Sequence, residues 1–525
     1  MRSGIRLCVT VAVAGLAFLL SDVRYGHAAC STNTGYGTGV FASDPDSCFN
    51  SGFGYNALQT LETGSLNTAV GYNALRDSVD ASQNTAVGGY ALETNSGDLN
   101  IAIGYSALLS NAGSYNIGLG QGVLKSNSGD SNLAIGNLAQ EFNTTGHNNI
   151  AIGTAALYDN TTGSNNTAIG SGACGNSITA SENVAIGPEA LASNATGTRN
   201  VAVGHRALSG TTGSASQNTA VGAFALESNS TGSPSTAVGY QALKSATTAS
   251  GNSALGYQAL STVTSSSSNS ALGHQALKVL TSGGANTAVG YQALTSATTG
   301  NANTGLGVGA LTSLTTGANN SSLGTLAGYN VTTGSNNVHV NNAGASGDTN
   351  TIRIGIQGTQ SSTFVAGISG ATSASGVAVY VNSNGQLGTT TSSGRFKRDV
   401  EPIGDESASL MKLRPVRFRY VEAIDPTRLK QFGLVAEEVA KVYPELVTRD
   451  AEGKAESVRY HFVNAMMLNE LQMQSRRIDQ LEITLREQAS RMASLEALVK
   501  DVQAVSAKAQ FRSGIVAAGE RVNGL

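Results

Sequence analysis

The chain has 525 residues, with 64 Gly, 7 Pro, no Trp, only 12% charged residues and a formal charge of −3. Such a composition excludes a string of ordinary globular domains, and without a basic run it gives no electrostatic footing for nucleic acid or an anionic membrane. Charge gathers at one end: residues 50–391 hold 7 Lys/Arg and 12 Asp/Glu against 21 and 19 in residues 392–525, which marks a boundary near position 390.

At the N-terminus, Arg2 and Arg6 precede an apolar run from Leu7 to Leu20, and the small-residue segment Gly26-His27-Ala28-Ala29 follows. This predicts a secretory signal peptide over residues 1–28 and a secreted or cell-surface chain. An apolar run of about 14 residues falls short of the roughly 20 a membrane span needs, so no span is expected once the signal is removed. Residues 29–49 read as an N-terminal cap. Cys30 and Cys48 can close a loop in an oxidising compartment, leaving Cys174, which stands at an aliphatic position and reads as a small buried hydrophobe. No zinc-ligand spacing occurs and the six His are scattered, so no metal or cofactor is expected.

From about residue 50 to 340 one phrase recurs, written in full as Asn67-Thr68-Ala69-Val70-Gly71-Tyr72-Asn73-Ala74-Leu75. Its glycine returns seventeen times between Gly54 and Gly324 at spacings of 16, 17 or 18 residues. A unit this short cannot bury a core alone, so copies must stack through their backbones, as a β-solenoid or β-roll of either hand, mainly β in class. Seventeen coils at about 4.8 Å each span roughly 80 Å. The residues before the glycine read as a strand, and the Ala-Leu after it as a second strand or a turn. Aliphatic residues at two places before the glycine and at the leucine position are expected to face inward. The glycine suits a positive φ or a close backbone approach. For Asn67, Asn84, Asn100 and Asn116 two roles are open, an amide ladder along the stack or turn formation.

This pattern resembles the heads of trimeric autotransporter adhesins, whose repeat is usually somewhat shorter, and the shafts of trimeric phage fibres. The resemblance implies a homotrimer with a cell-surface or glycan ligand. The acidic residues of the repeats are single and scattered, which argues against a glycan-degrading enzyme. A surface- or ice-binding solenoid and a prophage fibre remain as alternative readings.

Residues 341–391 read as a β-rich neck: Thr351–Ile356, Phe364–Ile368 and Val377–Val381 alternate as strands, and Asn384-Gly385 signals a turn. After Thr391 comes an ordered series: Ser392-Ser393-Gly394-Arg395-Phe396-Lys397; Leu413-Arg414-Pro415-Val416-Arg417-Phe418; Phe432-Gly433-Leu434-Val435-Ala436-Glu437-Glu438-Val439; Tyr443-Pro444-Glu445-Leu446-Val447; and Val458-Arg459-Tyr460. The series resembles the endosialidase-type intramolecular chaperone, a self-processing peptidase family at the ends of phage tail spikes and fibres. The resemblance implies a small α+β chaperone domain over about 392–465 that trimerises the fibre and then cuts the chain beside a serine. By position, Ser392 matches the serine of the cutting pair, Lys397 its lysine and Arg395 the arginine between them. The residue after the serine is often Asp and here is Ser393, a rival nucleophile; the usual Gln is Glu437.

The chemistry sets a condition of its own. A serine hydroxyl needs a base, and a lysine can serve once its amine is neutral, a form that burial favours. An offset of five places the two side chains on opposite faces of a strand, so either the backbone bends, with Gly394 as the hinge, or a second chain supplies the partner. Finally, Leu471, Ile478, Leu485, Met492 and Val499 recur every seven residues, with Met467, Leu481, Leu495 and Val502 on the complementary seam and Gln474 and Gln488 interrupting it. This predicts a coiled coil over 466–507 and a flexible tail over 508–525.

Overall fold

The structure is a computed structural model that describes residues 32–519, apart from positions 44, 45, 369, 370, 372, 383 and 451. The signal segment 1–28 and Cys30 lie outside the described residues; Cys48 is disulfide-bonded. Two compact units, divided at residue 372, make up the chain.

In the first unit the three residues before each repeat glycine form a short strand, in register and parallel with the strand of the next repeat: Thr68 beside Thr85, Ala69 beside Ala86, Val70 beside Val87. Twenty such strands form a single sheet, from Thr34–Tyr36 to Ile352–Ile354. The solenoid thus takes in one coil ahead of residue 50 and one beyond residue 340, where the phrase has decayed but the strand pairing persists.

Adjacent strand residues point to opposite faces. The expectation of inward aliphatics ahead of the glycine therefore holds for the alanine alone: Ala69, Ala86 and Ala102 are buried, whereas Val70, Val87 and Ile103 are exposed. The Ala-Leu after the glycine is a turn, and its leucine is buried with a left-handed backbone, as at Leu58 (φ 54°), Leu243 (φ 53°) and Leu260 (φ 52°). A coil of some seventeen residues must reverse within a few residues, and left-handed positions do this. The conformation costs about 1–2 kcal/mol for a non-glycine residue, and burying the leucine contributes about 1.5–3 kcal/mol, so burial wins. A second short parallel pairing forms only between Thr94–Asn95 and Ser110–Asn111 among the described residues.

Both reasons for the glycine hold together. At Gly204 φ is +132°, and a Cβ would lie 2.7 Å from the carbonyl carbon and oxygen of Gly222 in the next coil. The asparagines form the ladder: Asn286 N–H donates to Asn269 Oδ1 at 3.0 Å, while Asn269 Nδ2 donates to Asn252 Oδ1 at 3.2 Å and to the Gly283 carbonyl at 3.0 Å. A second buried ladder, Asn95, Asn111, Asn127, Asn143 and Asn160, runs through the early coils. Later coils fill that column with Val263, Leu280 and Leu314 instead, so its polar half shows no constant residue along the sequence.

The core column that is alanine or glycine along most of the stack ends in Ser322, His339 and Arg353. Here Asp348 accepts hydrogen bonds from Arg353 Nε (2.7 Å) and Nη2 (2.6 Å) and from the Ala345 amide (2.9 Å), and its Oδ2 lies 3.1 Å from His339 Nε2. His339 is wholly buried and Asp348 nearly so, a polar plug at the last coils.

In the second unit Tyr380–Val381, the end of the segment read as a strand, pairs with Leu387–Gly388 around the Asn384-Gly385 turn. At the end of the first unit, Phe364–Ile368 forms no strand; Phe364 is 95% exposed, and a lone chain gives that segment no partner strand. Downstream, Val416–Phe418 pairs with Gln431–Gly433, Val447–Arg449 pairs with Ala455–Val458, helix α1 spans Ala436–Val442 and helix α2 spans Tyr460–Gly519. Leu410, Val439, Tyr443, Leu446, Val447, Val458 and Val463 form the core. Helix α2 runs through Gly519, into the 508–525 segment expected as a flexible tail, and residues 520–525 lie outside the described residues.

Candidate functional site

Between the hairpin and the core of the second unit the backbone makes one tight 3-10 turn, Gly394–Phe396, closed by Phe396 N–H to the Ser393 carbonyl (3.0 Å) and Lys397 N–H to the Gly394 carbonyl (3.3 Å). Ser393 is its N-cap, with extended backbone and its Oγ accepting the Arg395 N–H at 3.4 Å. The same oxygen accepts Arg395 Nε at 3.3 Å. Ser and Gly at the start of the segment explain why it turns: serine favours the cap and glycine imposes no side-chain constraint on the turn.

The turn meets the geometric condition within one chain. Lys397 Nζ donates to Ser392 Oγ at 3.1 Å, so an offset of five becomes a hydrogen-bonded pair without a second chain. Ser393 faces Arg395 instead, which separates the two candidate nucleophiles. Both Ser392 and Lys397 are exposed, so in the single chain nothing shields the amine from water. The Arg395 guanidinium lies 5.2 Å from the Phe396 ring.

The core of the second unit is held by polar contacts that sequence reading did not find. Ser407 donates to Glu470 Oε1 at 2.6 Å, Asn469 Nδ2 donates to Ser407 Oγ at 2.7 Å, and Tyr443 Oη donates to the Glu406 carbonyl at 2.8 Å. Glu438, in the phrase that carries Glu437, is held below the usual carboxylate range by the Arg414 guanidinium. Cys174 is a free cysteine, fully buried, its thiol pushed up to about 12 by burial, as a packed hydrophobe would be.

The protein is therefore a parallel β-solenoid followed by a small α+β module that carries an exposed Ser–Lys pair on a capped turn. Residues 392–448 match the model of a peptidase family described as chaperone of endosialidase. The match takes in the turn, the Val416–Phe418 and Gln431–Gly433 hairpin, α1 and the start of the next strand. No curated protein and no solved structure matches the chain.

Proposed function

We propose that the chain is an exported, trimeric, fibre-like surface protein whose C-terminal module assembles three chains and then cuts itself off through Ser392 and Lys397. The observation that carries the cut is the 3.1 Å Lys397 Nζ to Ser392 Oγ hydrogen bond inside the family match. Self-association is supported by the apolar column beside the repeat glycines, Val70, Ile103, Leu255, Leu272, Leu306 and Leu323 among them, which is exposed in the single chain. The heptad residues Leu471, Ile478, Leu485, Met492 and Val499 of α2 are exposed as well, ready for a coiled coil.

In the cutting step the neutral Lys397 amine takes the Ser392 Oγ proton while Oγ attacks the Thr391 carbonyl carbon. Collapse of the tetrahedral intermediate breaks the Thr391–Ser392 C–N bond, and Lys397 returns the proton to the departing nitrogen. Water then hydrolyses the Thr391 ester, leaving a Thr391 carboxylate and a fragment that begins at Ser392. Because Lys397 is exposed in the single chain, assembly supplies the burial that favours its neutral form.

Expression of the full chain followed by gel electrophoresis and intact mass measurement tests the proposal. A fragment beginning at Ser392 is expected, with Ser392→Ala and Lys397→Ala leaving the chain whole. An uncut wild-type trimer would remove the peptidase reading and leave the fibre.

A further inference from the structure

We infer that Ser393 is a positioning residue for the cut, the cap that folds the turn and so delivers Lys397 to Ser392. The inference rests on the self-cleavage reading and adds a role to a residue that pattern alone leaves as a rival nucleophile.

Four observations converge on it. Ser392 and Lys397 meet only because Gly394–Phe396 closes into a turn, and that turn has two backbone hydrogen bonds of its own. The Arg395 amide at the second position of the turn has no backbone acceptor, and the Ser393 hydroxyl oxygen is the acceptor it finds. The Arg395 side chain adds Nε to the same oxygen, tying the middle of the turn to its start. Ser393 Oγ is thereby an acceptor aimed at Arg395, whereas Ser392 Oγ accepts from the lysine.

The chemistry of the cap also accounts for the residue type. An N-cap needs a short side chain with an oxygen one or two bonds from Cβ, which Ser, Thr, Asp and Asn supply. Aspartate, often present after the serine in the family this segment resembles, and serine are equivalent for this purpose, so the departure at Ser393 keeps the cap. As aspartate the residue would also pair its charge with Arg395.

The turn is short and exposed, so its closed population depends on each cap hydrogen bond. Loss of such a cap is expected to slow the cut roughly two- to thirtyfold, the rate equivalent of an ordinary cap loss. The amine's protonation chemistry is untouched, so the pH profile should drop in height and keep its position.

The test compares the appearance of the C-terminal fragment over time in wild type, Ser393→Ala, Ser393→Asp and Ser392→Ala full-length chains, with the fragment's first residue read by mass spectrometry. Expected are a slowed Ser393→Ala, a Ser393→Asp at or near the wild-type rate, one unshifted pH profile, and a fragment starting at Ser392 in all that cut. Equal rates for Ser393→Ala and wild type, or a Ser393→Asp as slow as Ser393→Ala, would overturn the positioning role. A fragment starting at Ser393, lost in Ser393→Ala, would make Ser393 the nucleophile. If wild type itself stays whole, the self-cleavage reading fails first. Trimer content by size-exclusion chromatography in each variant separates slow cutting from failed assembly.

Discussion

Asn67 Oδ1 accepts the backbone N–H of Asn84 at 2.9 Å, and the same side chain donates through Nδ2 to the Ala81 carbonyl at 2.8 Å. One amide thus joins two consecutive coils and closes the turn that leads into the next strand. The arrangement recurs along the sheet, and its buried setting makes each rung costly to lose, since an orphaned donor or acceptor carries its full desolvation penalty.

Substituting a rung should show this directly. Asn269→Ala removes the acceptor for the Asn286 amide and the donor to Gly283, and is expected to destabilise the solenoid by about 2–4 kcal/mol in chemical denaturation. The column also contains a weak rung: at Ser235 the Asn252 amide reaches Oγ only at 3.4 Å. Ser235→Asn should therefore stabilise by about 1 kcal/mol, and a lower melting temperature in that variant would contradict the ladder's energetic role.

The glycine column gives the opposite kind of test. Gly204→Ala meets both a φ of +132° and the Gly222 carbonyl at 2.7 Å, with costs of roughly 1–3 kcal/mol for each. Local loss of amide protection in hydrogen exchange around residues 201–222 is expected, and protection equal to wild type would show that the coils separate more easily than their spacing implies.

Acid should loosen the last coils first. The Asp348 carboxyl is held well below its ordinary range, chiefly by the Arg353 hydrogen bonds and further by His339 and the Ala345 amide, against the opposing effect of burial. A carboxyl depressed in the folded state adds stability that is fully present above its unfolded value of about 3.9 and is lost as pH falls below it. Hydrogen-exchange protection over residues 338–354 should therefore fall on acidification below about pH 4, and Asp348→Asn should lower it at neutral pH and flatten that dependence. The same slope in Asp348→Asn and wild type would assign the acid response to other groups.

If the exposed apolar column is where copies meet, charge there should separate them without unfolding one chain. Leu255 and Leu272 are 47% and 46% exposed, so Leu255→Lys with Leu272→Lys should leave the β-sheet circular dichroism of the solenoid intact. Light scattering should show trimer giving way to monomer. A trimer unaffected by both lysines would place the contact on another face.

The period of the repeat, its stacking and its glycine were legible because each coil repeats the same local demand: one residue must lack a Cβ, and neighbours sit at identical heights. The chaperone motifs were legible for a related reason, since Val439, Tyr443, Leu446, Val447 and Val458 lie within them and form the core. Less visible were Asn95 to Asn160, whose column turns aliphatic later, and the plug of His339, Asp348 and Arg353, whose members fall outside the phrase.

Sequence by itself determined a stacked β-solenoid and a composition break near 390, and it offered Ser392 and Lys397 as a candidate pair through the family resemblance. Only the tertiary structure decided which way each strand residue points, that the asparagines bridge coils, and that a serine-capped turn brings lysine and serine together in one chain. The reason is physical: periodicity records which positions are equivalent, whereas the direction of a side chain and the partner of a hydrogen bond depend on where the backbone of another coil, or the next turn, has been placed.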